Sequence, residues 1–299
     1  MPQQHADELP LSVETVRALV DAQLPAARGL PVRPVARGTV NAIFRLGDRY
    51  TARFPLRPAP VEQARAALER EAAAAAELAG RTRFRTPEPV ALGEPGAGYP
   101  MPWSVQTWLS GAVGTEQDPA GSEPFAHDLA EFVEGVRAIP VRGRTFSGDG
   151  RGGDLREHDD WVQTCLARSE SLLDVPLLRR LWAGFRDLPR GEHPDTMNHG
   201  DLMPANVLVA DGRLTGVLDV GGFGPADRSL DLIGAWDVLD DGPRRVFRDR
   251  LNCDDLEWER GRAWAFEQAM GLVWYYRETN PSMSRTGRRT LDRLTRNAT

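Results

Sequence analysis

The stretch NHGDLMPANVLV, Asn198 to Val209, brings together an imidazole (His199), a carboxylate (Asp201) and an amide (Asn206), then runs into apolar positions. Three kinds of chemistry fit such a cluster: a catalytic loop, a metal site, or only a polar turn ahead of a buried strand. A second carboxylate narrows the choice. The segments NVLVA and LTGVLD are separated by DGR, a tight-turn signal. A hairpin there brings Asn206 near Asp219, because the first strand starts where the second ends.

An amide oxygen and a carboxylate at one end of a two-stranded ribbon are hard oxygen ligands of the kind that suit Mg²⁺. Asp201 precedes Asn206 in a loop that Pro204 holds open, where it is placed to take or orient the proton of a hydroxyl. Base, metal ligands and phosphate clamp are what phosphoryl transfer requires. Taken alone, His199 reads more often as a hydrogen-bonded core histidine. His193 and His199 lack a common zinc-ligand spacing, and the chain contains no G-x-S-x-G elbow.

The positioning elements are legible around this stretch. Ser12 caps a helix over residues 12–22 whose apolar positions share one face. Ile43 to Leu46 and Tyr50 to Phe54 read as a hairpin about Gly47-Asp48, preceded by a polar turn at Arg37-Gly38-Thr39. VEQARAALEREAAAAAELAG is a helix ended by Gly80. Short apolar runs follow, the second from Trp103 to Leu109. Helical periodicity then dominates: HDLAEFVEGVRAI, residues 160–188, and the tail from Arg228 to Leu294, with Pro243 and Pro281 expected as breaks. GRTFSGDGRGGD reads as a flexible surface loop rather than a phosphate cradle. The first ~110 residues therefore mix strands and helix, and the rest is mostly helix with a small strand pair.

A chain of 299 residues can bury one large core or two lobes, and 41% apolar with 27% charged residues is an ordinary globular balance. The net charge of −6 argues against a nucleic-acid partner; it suits a cationic substrate or serves only solubility. Cys165 and Cys253 form no CxxC pair, which excludes a disulfide framework or zinc ribbon. No signal peptide and no membrane-length apolar run is present, so a cytoplasmic protein is expected. The sequence contains no lysine, and every permanent cation must be arginine.

His-Gly-Asp, Asn five residues after the Asp, and a strand pair ending in Asp together resemble the aminoglycoside phosphotransferase family, kinase-like enzymes that phosphorylate small molecules. NAIFRLGDRYTARFP, EREAAAAAEL, PWSVQTWLSG and GVLDVGGFGPADRSLDLIGAW fall in the family's order, over roughly residues 30 to 280. The resemblance implies an α+β, two-lobed protein-kinase-like fold: an N-terminal lobe at 1–109, an antiparallel sheet plus helix ending in a hinge, and a mostly helical catalytic and acceptor-binding lobe at 110–299. It implies ATP (or GTP) with Mg²⁺, and a small-molecule hydroxyl as acceptor. Asp201 would be catalytic, and Asn206 and Asp219 would hold Mg²⁺. His199 and Asp231 would support the loop. Arg53 and its partner Glu71 would serve the nucleotide, and Gln106, Thr107, Trp108 and Leu109 would form the hinge that meets the adenine.

The match departs from the family at four points. Arg53 stands where the third-strand cation is usually lysine. Met203 and Ala205 replace a more common His and Gly, and Val220 replaces an aromatic after the metal-binding Asp. These departures motivate an alternative, a nucleotide-binding kinase-like protein with little transfer. For the acceptor, Trp264, Glu267, Gln268, Gly271, Trp274 and Tyr275 share one broad helical face. Glu267 and Trp274 are the candidates there, with Asp254, Asp255, Glu257 and Glu259 upstream as acids that could meet an amino sugar. An endogenous metabolite is equally compatible as acceptor.

Overall fold

A computed structural model of the chain describes residues 8–38, 40–148 and 150–296. Two compact units emerge: the chain up to Ala79 together with Arg85–Ser110, and Gly80–Phe84 together with the chain from Gly111 onward.

In the first unit, α1 (Val13–Gln23) starts where the Ser12 hydroxyl accepts the Thr15 N–H at 3.1 Å, and it buries Val16, Leu19 and Val20. The sheet is antiparallel, in the order β1-β2-β3-β5-β4. Its strands are β1 (Val32–Arg37), β2 (Asn41–Leu46), β3 (Tyr50–Pro55), β4 (Pro89–Gly93) and β5 (Trp103–Thr107). The β2–β3 hairpin is the expected one. Strand β1 was not expected as a separate element. Pro34 and a bulge between Pro34 and Ala36 break its alternation, which an edge strand tolerates. Of the polar turn expected at residues 37–39, Thr39 lies outside the described residues. Helix α2 (Val61–Leu78) buries Leu68, Ala75 and Leu78, and Gly80 follows it with φ +68°, the left-handed geometry expected of a helix stop.

The core of this unit is aromatic. The Phe54 ring stacks on Trp103 at 5.0 Å and meets Phe44 and Tyr99 edge-on. Gly93 is required beside it, because a Cβ there would come within 2.0 Å of the Trp103 indole.

The second unit is mostly helical. Its helices are α3 (Glu123–Arg137), α4 (Asp159–Arg168), α5 (Val175–Phe185), α6 (Ile233–Asp237), α7 (Asp241–Leu251), α8 (Asp255–Tyr275) and α9 (Pro281–Thr295). Helix α8 is buried on most sides, packed by α4, α5, α6 and α9. As expected, the helical tail is interrupted, between α6 and α7 and between α8 and α9, just ahead of Pro243 and Pro281. Both lie in first turns, of α7 and α9, where a missing N–H costs no helical bond. A three-stranded sheet joins β6 (Ala112–Val113), β8 (Val207–Ala210) and β9 (Arg213–Val217); β7 (Thr196–Asn198) pairs with β10 (Gly224–Ala226). Strands of two or three residues are too short to show a period, so β6, β7 and β10 were not legible. Segment Gly80–Phe84 is held in this unit by Arg83, which bonds Asp128 at 2.6 Å and also pairs with Glu131. No described helix is long and apolar enough to cross a membrane.

Candidate active site

The β8–β9 hairpin forms as its sequence implies. Val207 pairs with Val217 and Ala210 with Arg213, around Asp211-Gly212 with φ +51° and +67°, the left-handed pair that a tight hairpin turn demands. The Leu218 N–H donates to the Asn206 carbonyl at 2.7 Å, which closes the open end of the ribbon beside Asp219. Asp219 itself has left-handed backbone, φ +56°.

Asp201 is held from three sides. Its Oδ2 accepts the Asn206 amide at 2.8 Å; its Oδ1 accepts the Gln268 amide at 2.6 Å and the Arg151 guanidinium at 3.1 Å. Asn206 also donates to the Asp201 carbonyl at 2.9 Å. The amide nitrogen of Asn206 is thus committed to Asp201, so its oxygen is the atom that could ligate a metal. An amide oxygen and the Asp219 carboxylate make a hard donor set that fits Mg²⁺.

His199 and Asp231 are fully buried. The His199 Nδ1 accepts the Asp201 N–H at 3.3 Å, so the ring hydrogen sits on Nε2, which donates to the Leu218 carbonyl at 3.0 Å. One imidazole therefore ties the loop to the end of β9. The Asp231 carboxylate accepts the His199 and Gly200 N–H groups at 2.7 and 2.8 Å. Burial pushes its pKa up, and those two N–H bonds oppose the shift.

The loop's unusual residues fit. Met203 is buried, and its N–H donates to the Asp201 carbonyl at 3.0 Å. Ala205 lies in a 3-10 turn, Pro204–Asn206, and is not among the described residues with positive φ, so no glycine is needed there. Val220 is buried directly after Asp219.

Arg151 was missed. It comes from GRTFSGDGRGGD, which is not simply a flexible surface loop: Gly152 and Gly153 are buried and anchored. The Gly152 carbonyl accepts the Asp227 N–H at 2.9 Å, and the Gly153 carbonyl accepts the buried Arg260 guanidinium at 2.9 Å. A Cβ at Gly152 would come within 2.6 Å of Ala226. Glycine in this loop permits close packing. The only sequence signal was an arginine inside the glycine run. Gln268 was visible only as one polar residue on the α8 face.

The other expected site residues lie as follows. Glu267 is buried and pairs with His158 at 3.0 Å; that hydrogen bond raises the His158 pKa, against the effect of burial. Trp274 is half-buried against Trp161. The upstream acids are engaged: Asp254 with His193, Asp255 with Arg248, Glu257 with Arg137 and Arg228, and Glu259 with Arg262. They do not form an open acidic face.

In the first unit, Arg53 is half-buried on β3, opposite Ile43 and Ser104, and Glu71 is half-buried on α2 while Glu69 is exposed. Gln106 and Thr107 belong to β5. The Thr107 N–H donates to the Glu88 carbonyl at 2.9 Å and the Trp108 N–H to the Arg49 carbonyl at 2.7 Å. Those two donors are therefore spent within the unit, and buried Leu109 follows them.

The Asp201 loop ahead of a ribbon whose open end carries Asn206 and Asp219, with an antiparallel sheet unit and a helical unit, defines an α+β, protein-kinase-like protein. Comparison with known proteins agrees. The family model described as "Phosphotransferase enzyme family" matches residues 31–264, and the chain belongs to that family. It is 27% identical to an aminoglycoside 3'-phosphotransferase of Escherichia coli over 143 residues, 46% of this chain and 52% of that protein. It is 31% identical to one of Streptomyces fradiae over 152 residues, 46% and 54% of the two chains. The chain thus spans about half the length of the curated relatives it matches. Among solved structures, the GDP complex of aminoglycoside 2'-phosphotransferase-IIIa shares the fold with a TM-score of 0.69 at 17% identity, over 97% of this chain and 100% of that one. The macrolide 2'-phosphotransferase MphH of Brachybacterium faecium does so with 0.61 at 19%, over 95% and 98%.

Proposed function

We propose that the protein is an ATP-dependent O-phosphotransferase that moves the γ-phosphate to a hydroxyl of a small molecule. The observation that carries this reading is the Asp201 carboxylate, oriented by Asn206, Arg151 and Gln268 in a loop that His199 and Asp231 brace. Asp201 aligns the acceptor hydroxyl for in-line attack and takes its proton as the bond to phosphorus forms. A carboxylate held by several donors loses little orientation freedom at the moment of reaction. Asn206 and Asp219 would hold Mg²⁺, which offsets charge on the phosphate oxygens. Arg53 would grip nucleotide phosphate oxygens through its fork of N–H groups, with Glu71 as its partner on α2. With the Thr107 and Trp108 N–H groups spent, Gln106 and Leu109 are the residues of the expected hinge left to meet the base.

The burial of Met203 and Val220 and the unstrained Ala205 support transfer over silent nucleotide binding. The test is purified protein with ATP or GTP, Mg²⁺ and a panel of hydroxyl compounds, including aminoglycosides and macrolides, read for phosphorylated product by mass. Asp201→Asn is expected to lower transfer by about 10²–10⁴-fold and to leave nucleotide affinity within a few-fold. Full turnover by Asp201→Asn would remove Asp201 from the chemistry, and nucleotide binding with no product would favour the silent alternative.

A further inference from the structure

We propose that the α8 face from Gln268 through Gly271 to Trp274 and Tyr275, with Trp161 of α4, binds the acceptor, and that it takes an uncharged hydroxyl compound with an apolar ring face rather than a polycationic amino sugar. The proposal rests on the phosphotransferase reading and specifies its acceptor.

Continuity with the reacting group comes first. The Gln268 amide touches Asp201 at 2.6 Å. Gly271 lies three residues further along α8 on the same face, about 4.5 Å along the axis. Its missing Cβ matters, because a Cβ there would come within 3.0 Å of Trp161 Cζ2. The Trp161 indole therefore lies against bare helix backbone, about one turn from the residue that holds Asp201. Its ring centroid is 6.2 Å from that of Trp274, and Tyr275 meets Trp274 edge-on at 5.6 Å.

Exposure singles this face out. Among the described residues, the large apolar side chains that remain exposed in the second unit are Trp161 (42%) and Tyr275 (43%), and both belong to this group. Flat aromatic surface left open beside a reactive carboxylate is the usual lining of a small-molecule site.

Charge selects among acceptors. From Arg260 to Tyr275, α8 carries one carboxylate, Glu267, and it is buried against His158. Asp201 already faces the Arg151 guanidinium, and the Arg168 guanidinium stands 5.8 Å from the Trp274 ring centroid. Two arginines thus flank the aromatic row, and the exposed acids nearest to it in sequence, Glu157, Asp160 and Glu278, precede Trp161 or follow Tyr275. A polyammonium compound entering here would meet cations at both ends and find the nearest helix carboxylate occupied.

The test uses the full chain with ADP and Mg²⁺, titrated calorimetrically with phenyl and 2-naphthyl β-D-glucosides, with D-glucose, and with kanamycin. The aryl glucosides are expected to bind at least ~10-fold tighter than glucose and tighter than kanamycin. Trp161→Ala should erase the aryl advantage and Trp161→Phe should restore most of it, which separates ring stacking from a folding defect. Gly271→Ala, which displaces the indole, should weaken aryl binding in the same direction. Kanamycin binding tighter than the aryl glucosides, no aryl glucoside binding, or an aryl advantage indifferent to Trp161→Ala would each overturn the proposal. Parallel incubations with ATP separate it from the reading beneath: kanamycin phosphorylated equally by wild type and Trp161→Ala sinks this acceptor class and keeps the transferase. Trp161-dependent aryl binding with no phosphorylated product from any compound does the reverse.

Discussion

The sheet unit and the Asp201 loop are stabilised by different physics. Around Phe54 the cohesion is apolar: stacked and edge-on rings, alanines and leucines, with exposure near zero. Around Asp201 the buried side chains are His199, Asn198, Asn206 and Asp231, each with named hydrogen-bond partners. The apolar core answers to volume, and chemically similar residues of similar size can replace one another. The polar loop answers to donors and acceptors, so a change that preserves shape can still fail.

The strongest test of that contrast pairs two substitutions. Phe54→Ala should cost about 3–5 kcal/mol of stability by chemical denaturation, whereas Phe54→Met should cost under about 1.5 kcal/mol. Asp231→Asn changes almost no volume, yet it offers an amide to two backbone N–H groups; about 1–3 kcal/mol and a clear fall in transfer are expected. An Asp231→Asn protein as stable and active as wild type would break the comparison.

A smaller effect sharpens it through pH. Glu267 raises the His158 pKa above its ordinary 6.5. Its stabilisation is therefore full below the unfolded value and fades as pH rises through the folded one. The stability gap between wild type and Glu267→Gln should be widest at about pH 5 to 6.5 and close in alkaline solution, measured by denaturation across pH. A gap that widens with pH would contradict the pairing. The smallest effect belongs to the rim of the sheet: Asp48, 93% exposed in its pair with Arg45, should tolerate Ala with no measurable change in Tm.

Legibility in the sequence follows the same division. The β2–β3 hairpin, α2 with its glycine stop, and the β8–β9 turn were readable because period, propensity and turn chemistry are local. The triple Asp201, Asn206 and Asp219 was readable because one hairpin relates its members. Arg151 was not, because it reaches Asp201 across 50 residues from a glycine run that composition assigns to a loose surface loop. The acidic residues near α8 looked available for an amino sugar, and only the fold revealed their arginine and histidine partners.

By itself, then, the sequence determined the hairpins, the helices and the grouping of Asp201, Asn206 and Asp219 that the proposed chemistry uses, all of which depend on neighbours a few residues apart. The tertiary structure alone decided what surrounds that carboxylate. Gln268 comes from 67 residues away, and Glu267 meets His158 across 109. Such pairings arise when buried polar groups must find partners as the core closes, and no local pattern in the chain encodes which partner each will find.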